Sequence, residues 1–110
     1  MMKLPMSAAA AGLLRGLLDR AGVDRNRILL TDFRSTEWHS LTFAGERHQL
    51  QLRIPGPGAR AIAESLTHDL ENAEFAIPRQ IVADIAVDGA IIEHADGAFT
   101  LHIEALTVEE

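Results

Sequence analysis

Apolar residues recur at helical spacing from Ser7 to Ala21: Ala10, Leu13, Leu14, Leu17, Leu18 and Ala21 share one stripe, with Arg15, Asp19 and Arg20 elsewhere on the wheel. The pattern predicts an amphipathic first helix with Ser7 as N-cap and Gly22 closing it in a left-handed conformation. Gly12 and Gly16 lie one turn apart and let that helix approach a neighbouring layer. In the absence of an apolar run of about twenty residues, the spacing means packing inside a domain and not a membrane dimer.

After Asp24-Arg25-Asn26-Arg27 the pattern changes to that of strands. Ile28 to Arg34 is β-branched and apolar enough for one, and Ser35 to Glu37 reads as a polar turn. Trp38 to Ala44 and Arg47 to Ile54 then flank Gly45-Glu46, predicting a two-residue hairpin that pairs Phe43 with His48, Leu41 with Leu50 and His39 with Leu52. Leu41, Phe43, Leu50, Leu52 and Ile54 would share one face, and Ser40, Thr42, Gln49, Gln51 and Arg53 the other. Alternation pins this register, because a one-residue slip buries glutamines.

Pro55-Gly56-Pro57-Gly58 breaks the strand and introduces a second amphipathic helix through Ala59, Ile62, Ala63, Leu66 and Leu70, ending near Asn72. A loop around Pro78 leads into Ile81 to His94, read as one long strand bent at Asp88-Gly89. Asp96-Gly97 predicts a type I′ turn pairing His94 with Phe99, Ile92 with Leu101 and Ala90 with Ile103. The last strand runs to Thr107 or Val108, leaving Glu109-Glu110 solvated. The expected fold is α+β: a two-layer sandwich in which two helices cover an antiparallel sheet of about five strands, in the order αβββαββ, as a single domain over residues 1–110.

Composition narrows the functional classes. A hydrophobic fraction of 47% is ordinary for a globular chain, and a net charge of −6 without a Lys/Arg cluster argues against a nucleic-acid-coating surface. Nine of the ten basic residues are arginine, Lys3 being the exception. With no cysteine there is no disulfide framework and no thiolate chemistry, so cytoplasmic synthesis is the expectation. The start Met1-Met2-Lys3 and the leucines up to Leu14 superficially suggest a signal peptide, but Pro5 and Ser7 interrupt the run and Arg15 closes it early.

Candidate chemistry is sparse. His39, His48, His68, His94 and His102 are scattered and fit no metal-ligand spacing. His39 and His48 are expected on one face, separated by the Leu41/Leu50 pair, as histidines at the edge of a core; His94 and His102 are expected to be solvated. No Ser/His/Asp grouping or nucleophile elbow surrounds Ser7, Ser35, Ser40 or Ser65. Gly56 and Gly58 precede a helix, but Pro55 and Pro57 each remove an anion-binding N–H, leaving a rigid strand-to-helix turn. Asp84, Asp88 and Asp96 read as a solvated face with no calcium-loop pattern. No catalytic, cofactor or metal residue is assigned. Trp38 is the one candidate site residue, either an interface anchor or a side chain packed under the first strand. The absence of tyrosine leaves little aromatic surface for stacking bases.

Several segments together resemble the tail-terminator, or tail-completion, proteins of long-tailed phages and gene transfer agents. They are the leucine-rich first helix and the Trp38 to Thr42 segment entering Gly45-Glu46-Arg47-His48, followed by alternating Leu50-Gln51-Leu52-Arg53-Ile54. Ala59-Arg60-Ala61-Ile62-Ala63 through Leu70 is also similar, as is the Asp96-Gly97 turn feeding a strand that closes with Glu104-Ala105-Leu106 and an acidic tail. The chain departs from the pattern in its compressed Pro-Gly-Pro-Gly linker and its short, acidic loop after the first helix. The resemblance implies a structural protein without enzymatic activity or cofactor. It implies a ring of identical subunits, commonly a hexamer, with tail-tube and head-connector proteins as partners and no sequence-specific nucleic acid or membrane. Such a protein is cytoplasmic until assembled into a particle. The competing reading is a stand-alone cytoplasmic α+β domain that dimerises and scaffolds or regulates a partner. A third is a small-molecule pocket with His39 and His48 as polar contacts.

Overall fold

The computed structural model describes residues 5–110, so Lys3 and the Met1-Met2-Lys3 start of the signal-like run lie outside the described residues. Helix α1 spans Ala8–Ala21. The Ser7 side chain accepts from the Ala10 N–H at 3.1 Å, and Gly22, at φ 69°, returns its N–H to the Asp19 carbonyl, so both caps are as expected. Strands β1 (Leu29–His39) and β2 (Ala44–Ile54) follow, then α2 (Ala59–Thr67), a 3-10 turn at Leu70–Asn72, β3 (Gln80–Val87), β4 (Ile92–Glu93) and β5 (Phe99–Glu109).

The fold is α+β, with two helices on a five-stranded antiparallel sheet ordered β1-β2-β5-β3, in which β4 also pairs with β5. The strands divide differently from the expected αβββαββ: two precede α2 and three follow it. Two local misreadings cause this. Ser35 to Glu37 forms no turn but lies inside β1, because the strand stays paired with β2 through all three residues. The Ile81 to His94 segment is broken at Asp88-Gly89 and not merely bent, giving β3 and β4, each paired with β5.

The first hairpin also turns elsewhere. Gly45 and Glu46 are strand residues paired with Trp38 and Glu37, and the chain reverses through Ser40–Phe43. Phe43–His48, Leu41–Leu50 and His39–Leu52 are therefore replaced by Ser35–His48, Phe33–Leu50 and Leu30–Leu52. The face expected for β2 survives: Leu50, Leu52 and Ile54 are buried. The second hairpin is one residue longer than a type I′ turn, with the His94 N–H bonded to the Ala98 carbonyl and Gly97 at φ 87°, a left-handed position that glycine occupies without strain. Ile92 consequently opposes Thr100 and Glu93 opposes Phe99.

One sheet face, carrying Leu50, Leu52, Ile54, Phe99, Leu101, Ile103 and Ile85, forms a core with Leu13 and Leu17 of α1 and Ile62, Ala63 and Leu66 of α2. Each fully buried leucine contributes about 1.5–3 kcal/mol by leaving water. The close approach permitted by Gly12 and Gly16 is used against the segment before β3: a Cβ on Gly12 would lie 2.8 Å from Ile77, and one on Gly16 2.4 Å from Phe75. Arg20 joins the helices by donating to the carbonyls of Leu66 and His68 at the end of α2. No described element covers the other sheet face, which leaves its side chains and the outer edges of β1 and β3 without a covering layer among the described residues.

Candidate functional site

Three features stand apart from the core: the β1–β2 tip, the open sheet face, and a buried polar chain under β1. At the tip, the Ser40 N–H donates to the Phe43 carbonyl at 2.8 Å and the Phe43 N–H to Ser40 Oγ at 3.0 Å, closing the turn without help from neighbouring elements. Leu41 is 105% exposed and Phe43 58%. Isolated surface apolar residues are common, but two large ones fixed at the end of a projecting arm form the kind of anchor that partners bury.

Pairing across the sheet orders the open face into rows. Trp38, Gly45, Val108 and Ile81 make the row nearest the tip; then come Thr36, Arg47, Leu106 and Asp84, followed by Arg34, Gln49, Glu104 and Ala86. Trp38 is on this polar face, with Arg34 and Thr36 in place of the expected Ser40 and Thr42. It is half-buried because its indole lies over Gly45, where an added Cβ would come within 3.1 Å of the ring and 1.9 Å of the Thr107 carbonyl oxygen. Gly45 thus serves close strand approach and not a turn. The Trp38 Nε1 is buried without a hydrogen-bond partner among the described residues. The row is apolar from Trp38 through Val108 to Ile81, which is 52% exposed.

On the covered side, His48 is fully buried between two hydroxyls, with Nδ1 2.8 Å from Ser35 Oγ and Nε2 2.9 Å from Thr107 Oγ1. Thr107 donates onward to the Glu46 carbonyl at 3.4 Å, so its hydroxyl accepts from His48 Nε2–H and leaves Nδ1 to accept from Ser35. Burial lowers the His48 pKa and so favours the neutral ring, while the Glu46 carboxylate acts more weakly in the opposite direction. Ser35 opens on a cleft of about 570 Å³ beside β1, which Glu37 and Glu46 also line. A hydroxyl against a neutral imidazole is the pairing of an activated nucleophile. Here, however, Glu37 and Glu46 line the same cleft, and their negative charge disfavours the developing oxyanion of acyl transfer. The chain is better suited to satisfying polar groups at the rim of the core.

No family model matches the chain, and no curated protein matches it. Of the expected pair, His48 sits at the core edge as anticipated, whereas His39 is exposed at the end of β1 with the tip beyond it, so the two form no common pocket. His94 is not simply solvated: its Nε2 is 2.7 Å from Thr100 Oγ1 and the residue is half-buried. His102 lies on the open face with Glu104 but is half-buried and not fully solvated as expected, with Thr100 on the same face buried. Asp84, Asp88 and Asp96 are all exposed. Among the described residues no group of His, Asp and Glu converges as a metal site, and no helix is long and apolar enough to cross a membrane.

The sequence reading missed the exposed pair Leu41 and Phe43 and the Ser35–His48–Thr107 chain. Ser40-Leu41-Thr42-Phe43 alternates like a strand, and only the Ser40 side chain, able to cap Phe43, signals a turn. The buried chain joins residues up to 72 positions apart and has no local signature.

Proposed function

We propose that the protein is a structural assembly protein whose identical subunits build a ring, and that the ring is the tail terminator joining tail tube to head connector in a phage-like particle. The observation that carries the assembly reading is the β1–β2 tip, where a self-closed turn holds Leu41 and Phe43 in water and their side chains add no apolar burial to the subunit itself. A second copy covering them would recover about 25 cal/mol for each Å² of apolar surface buried. The outer edges of β1 and β3, which no strand pairs with among the described residues, support the same reading, since such edges template further strands. The role in a tail rests on the segment-by-segment resemblance. A net charge of −6 suits a ring through which DNA passes without adhering.

Sedimentation velocity over rising concentration, with negative-stain microscopy of the heaviest species, tests the ring. Closed rings are expected; a strictly dimeric protein would favour the scaffold alternative. Deleting the gene is expected to leave filled heads unjoined to tails, or tails of uncontrolled length. Normal joined particles in the deletion strain would eliminate the tail role.

A further inference from the structure

We infer that the outer edge of β1 pairs antiparallel with the outer edge of β3 of a second copy, Arg34 lying beside Asp88, so that copies add head to tail into one continuous sheet. The inference rests on the ring reading and specifies its interface. Its basis is the polarity of the two edges. The path β1-β2-β5-β3 is antiparallel at each step, so β1 and β3 run in opposite directions. A copy rotated about an axis along the strands therefore presents its β1 antiparallel to the first copy's β3. Each copy uses one edge of each kind, and such a heterologous contact closes into a ring without leaving an edge unpaired.

Register follows from the irregularities and the charges. The bulges fall between Leu30 and Asp32 in β1 and between Val82 and Asp84 in β3, leaving Asp32–His39 and Asp84–Val87 as the regular runs. Arg34 opposite Asp88 lays these runs together: Ser35 meets Val87, Thr36 meets Ala86, Glu37 meets Ile85 and Trp38 meets Asp84. Faces also match, because Arg34, Thr36 and Trp38 lie on the open face with Ala86 and Asp84. Sliding β1 by two residues would set Asp32 against Asp88, a directly opposed like-charge pair that is destabilising.

The three ion pairs among the described residues use Arg47, Arg53 and Arg60, so Arg34 and Asp88, both exposed, remain available to another copy. The same register carries the Leu41–Phe43 tip toward the exposed Ile81 of the next copy, supplying apolar cover for the tip. A symmetric β1–β1 contact could pair Arg34 with Asp32, but the Thr31 bulge would enter that ladder from both sides within two residues of its centre at Phe33.

The chain has no cysteine, so introduced thiols report the contact without background. Opposed Cα atoms in an antiparallel ladder lie about 4.5–5.5 Å apart, within disulfide range. Under mild oxidation, the double variant Thr36→Cys/Ala86→Cys is expected to give a ladder of covalent oligomers ending at the ring, while each single variant stays uncrosslinked. Arg34→Glu is expected to weaken association by about tenfold or more, and adding Asp88→Arg to restore it. Rings in sedimentation without a ladder would overturn this edge pairing and leave the ring reading standing, as would Arg34→Glu associating like the native chain. Thr36→Cys alone giving a covalent dimer would place Thr36 beside Thr36 of another copy, a contact this alignment forbids, and overturn the inference. Absence of any species above monomer would overturn the inference and the ring together.

Discussion

Replacing His48 by leucine would separate what the imidazole contributes by packing from what it contributes by titrating. The residue is fully buried and bonds Ser35 and Thr107 at 2.8 and 2.9 Å. At pH 8 the variant loses two hydrogen bonds, each about 0.5–1.5 kcal/mol net. It gains the burial of an apolar side chain of similar volume, about 1.5–3 kcal/mol. Thr107 keeps the Glu46 carbonyl as acceptor, and half-buried Ser35 can bond water, so the net change at pH 8 should stay within about 2 kcal/mol.

Acid changes the balance. Burial lowers the folded-state pKa of His48 below the ordinary value of about 6.5, so the unfolded chain binds the proton first as pH falls. The neutral network is therefore at full strength above pH about 6.5, loses stability below it by up to about 1.4 kcal/mol per pH unit, and levels off beneath the folded-state pKa. His48→Leu lacks this loss. Urea melts at pH 8, 7, 6 and 5 and constant ionic strength should show an almost constant difference between variant and native chain at pH 8 and 7, and the variant gaining on the native chain once pH falls below about 6.5. The His48 ring resonances should titrate below pH 6.5. A variant with the native chain's full pH slope, or a His48 titration above 6.5, would refute the reasoning.

Leu50 is buried between Phe33 and Ile103 whereas Leu41 is bare. Leu50→Ala should therefore cost about 2–5 kcal/mol in denaturant melts, and Leu41→Ala less than about 0.5 kcal/mol, the latter weakening association instead. Comparable destabilisation from both would restore the Leu41–Leu50 pairing. Gly45→Ala forces a methyl to within 1.9 Å of the Thr107 carbonyl oxygen. It should destabilise by about 1–3 kcal/mol, and a melt unchanged from the native chain would remove the close β2–β5 approach. The Asp96 carboxylate is held below the usual aspartate range, first by the Ala98 N–H and also by Arg53. Its contribution is present above the ordinary aspartate pKa of about 3.9 and is lost as pH falls through the lower folded value. Asp96→Asn should reduce acid sensitivity below pH 4, and an identical acid-melting profile would count against the assignment.

Elements with a dense apolar repeat were legible in the sequence. The α1 stripe, its Ser7 and Gly22 caps, the start of α2 and the Leu50-Leu52-Ile54 face each depend on spacing within a few residues, and the structure has them where the pattern puts them; α2 itself stops at Thr67, short of the expected end near Asn72, because the chain turns left-handed at Asp69 and continues as the 3-10 turn Leu70–Asn72. The hairpin turn was not legible, because Gly45-Glu46 has the composition of a turn and Ser40-Leu41-Thr42-Phe43 that of a strand. Pairing over the whole length decides between them. Turning at Ser40–Phe43 brings ten residues of β1 against β2, buries His48 beside Ser35, and sets β2 beside β5 from Gly45 to Ile54. Turning at Gly45 would exchange that for a short ladder with Leu41 and Phe43 inside. The cooperative gain of the long ladder outweighs local turn preference, leaving two apolar residues in water.

The same competition explains why the candidate site was the least legible part. The apolar content of Leu41 and Phe43 looks like core when read locally, and only the three-dimensional arrangement places it at a tip. Likewise Arg34 looks like one dispersed arginine among nine until the strand order shows that it lies on one free edge and Asp88 on the end of the other. Edges and tips are defined by what fails to pair, and that depends on every other strand having found its partner. Glu37 shows the limit of local reading: it looks like part of a polar turn, yet it lies in β1 opposite Glu46, at the rim of the cleft that also holds Ser35. Two carboxylates directly opposed are tolerated there because the rim is solvated, and a neighbour adding to this edge must leave them in water or bring a cation to them. Placing Ile85 beside Glu37 satisfies the first condition only if Glu37 keeps its side chain in the cleft, so Glu37→Leu should tighten association of the copies without acting through the Arg34–Asp88 pair. Sedimentation at matched concentrations would show it, and weaker association in that variant would argue against this alignment of β1 with β3.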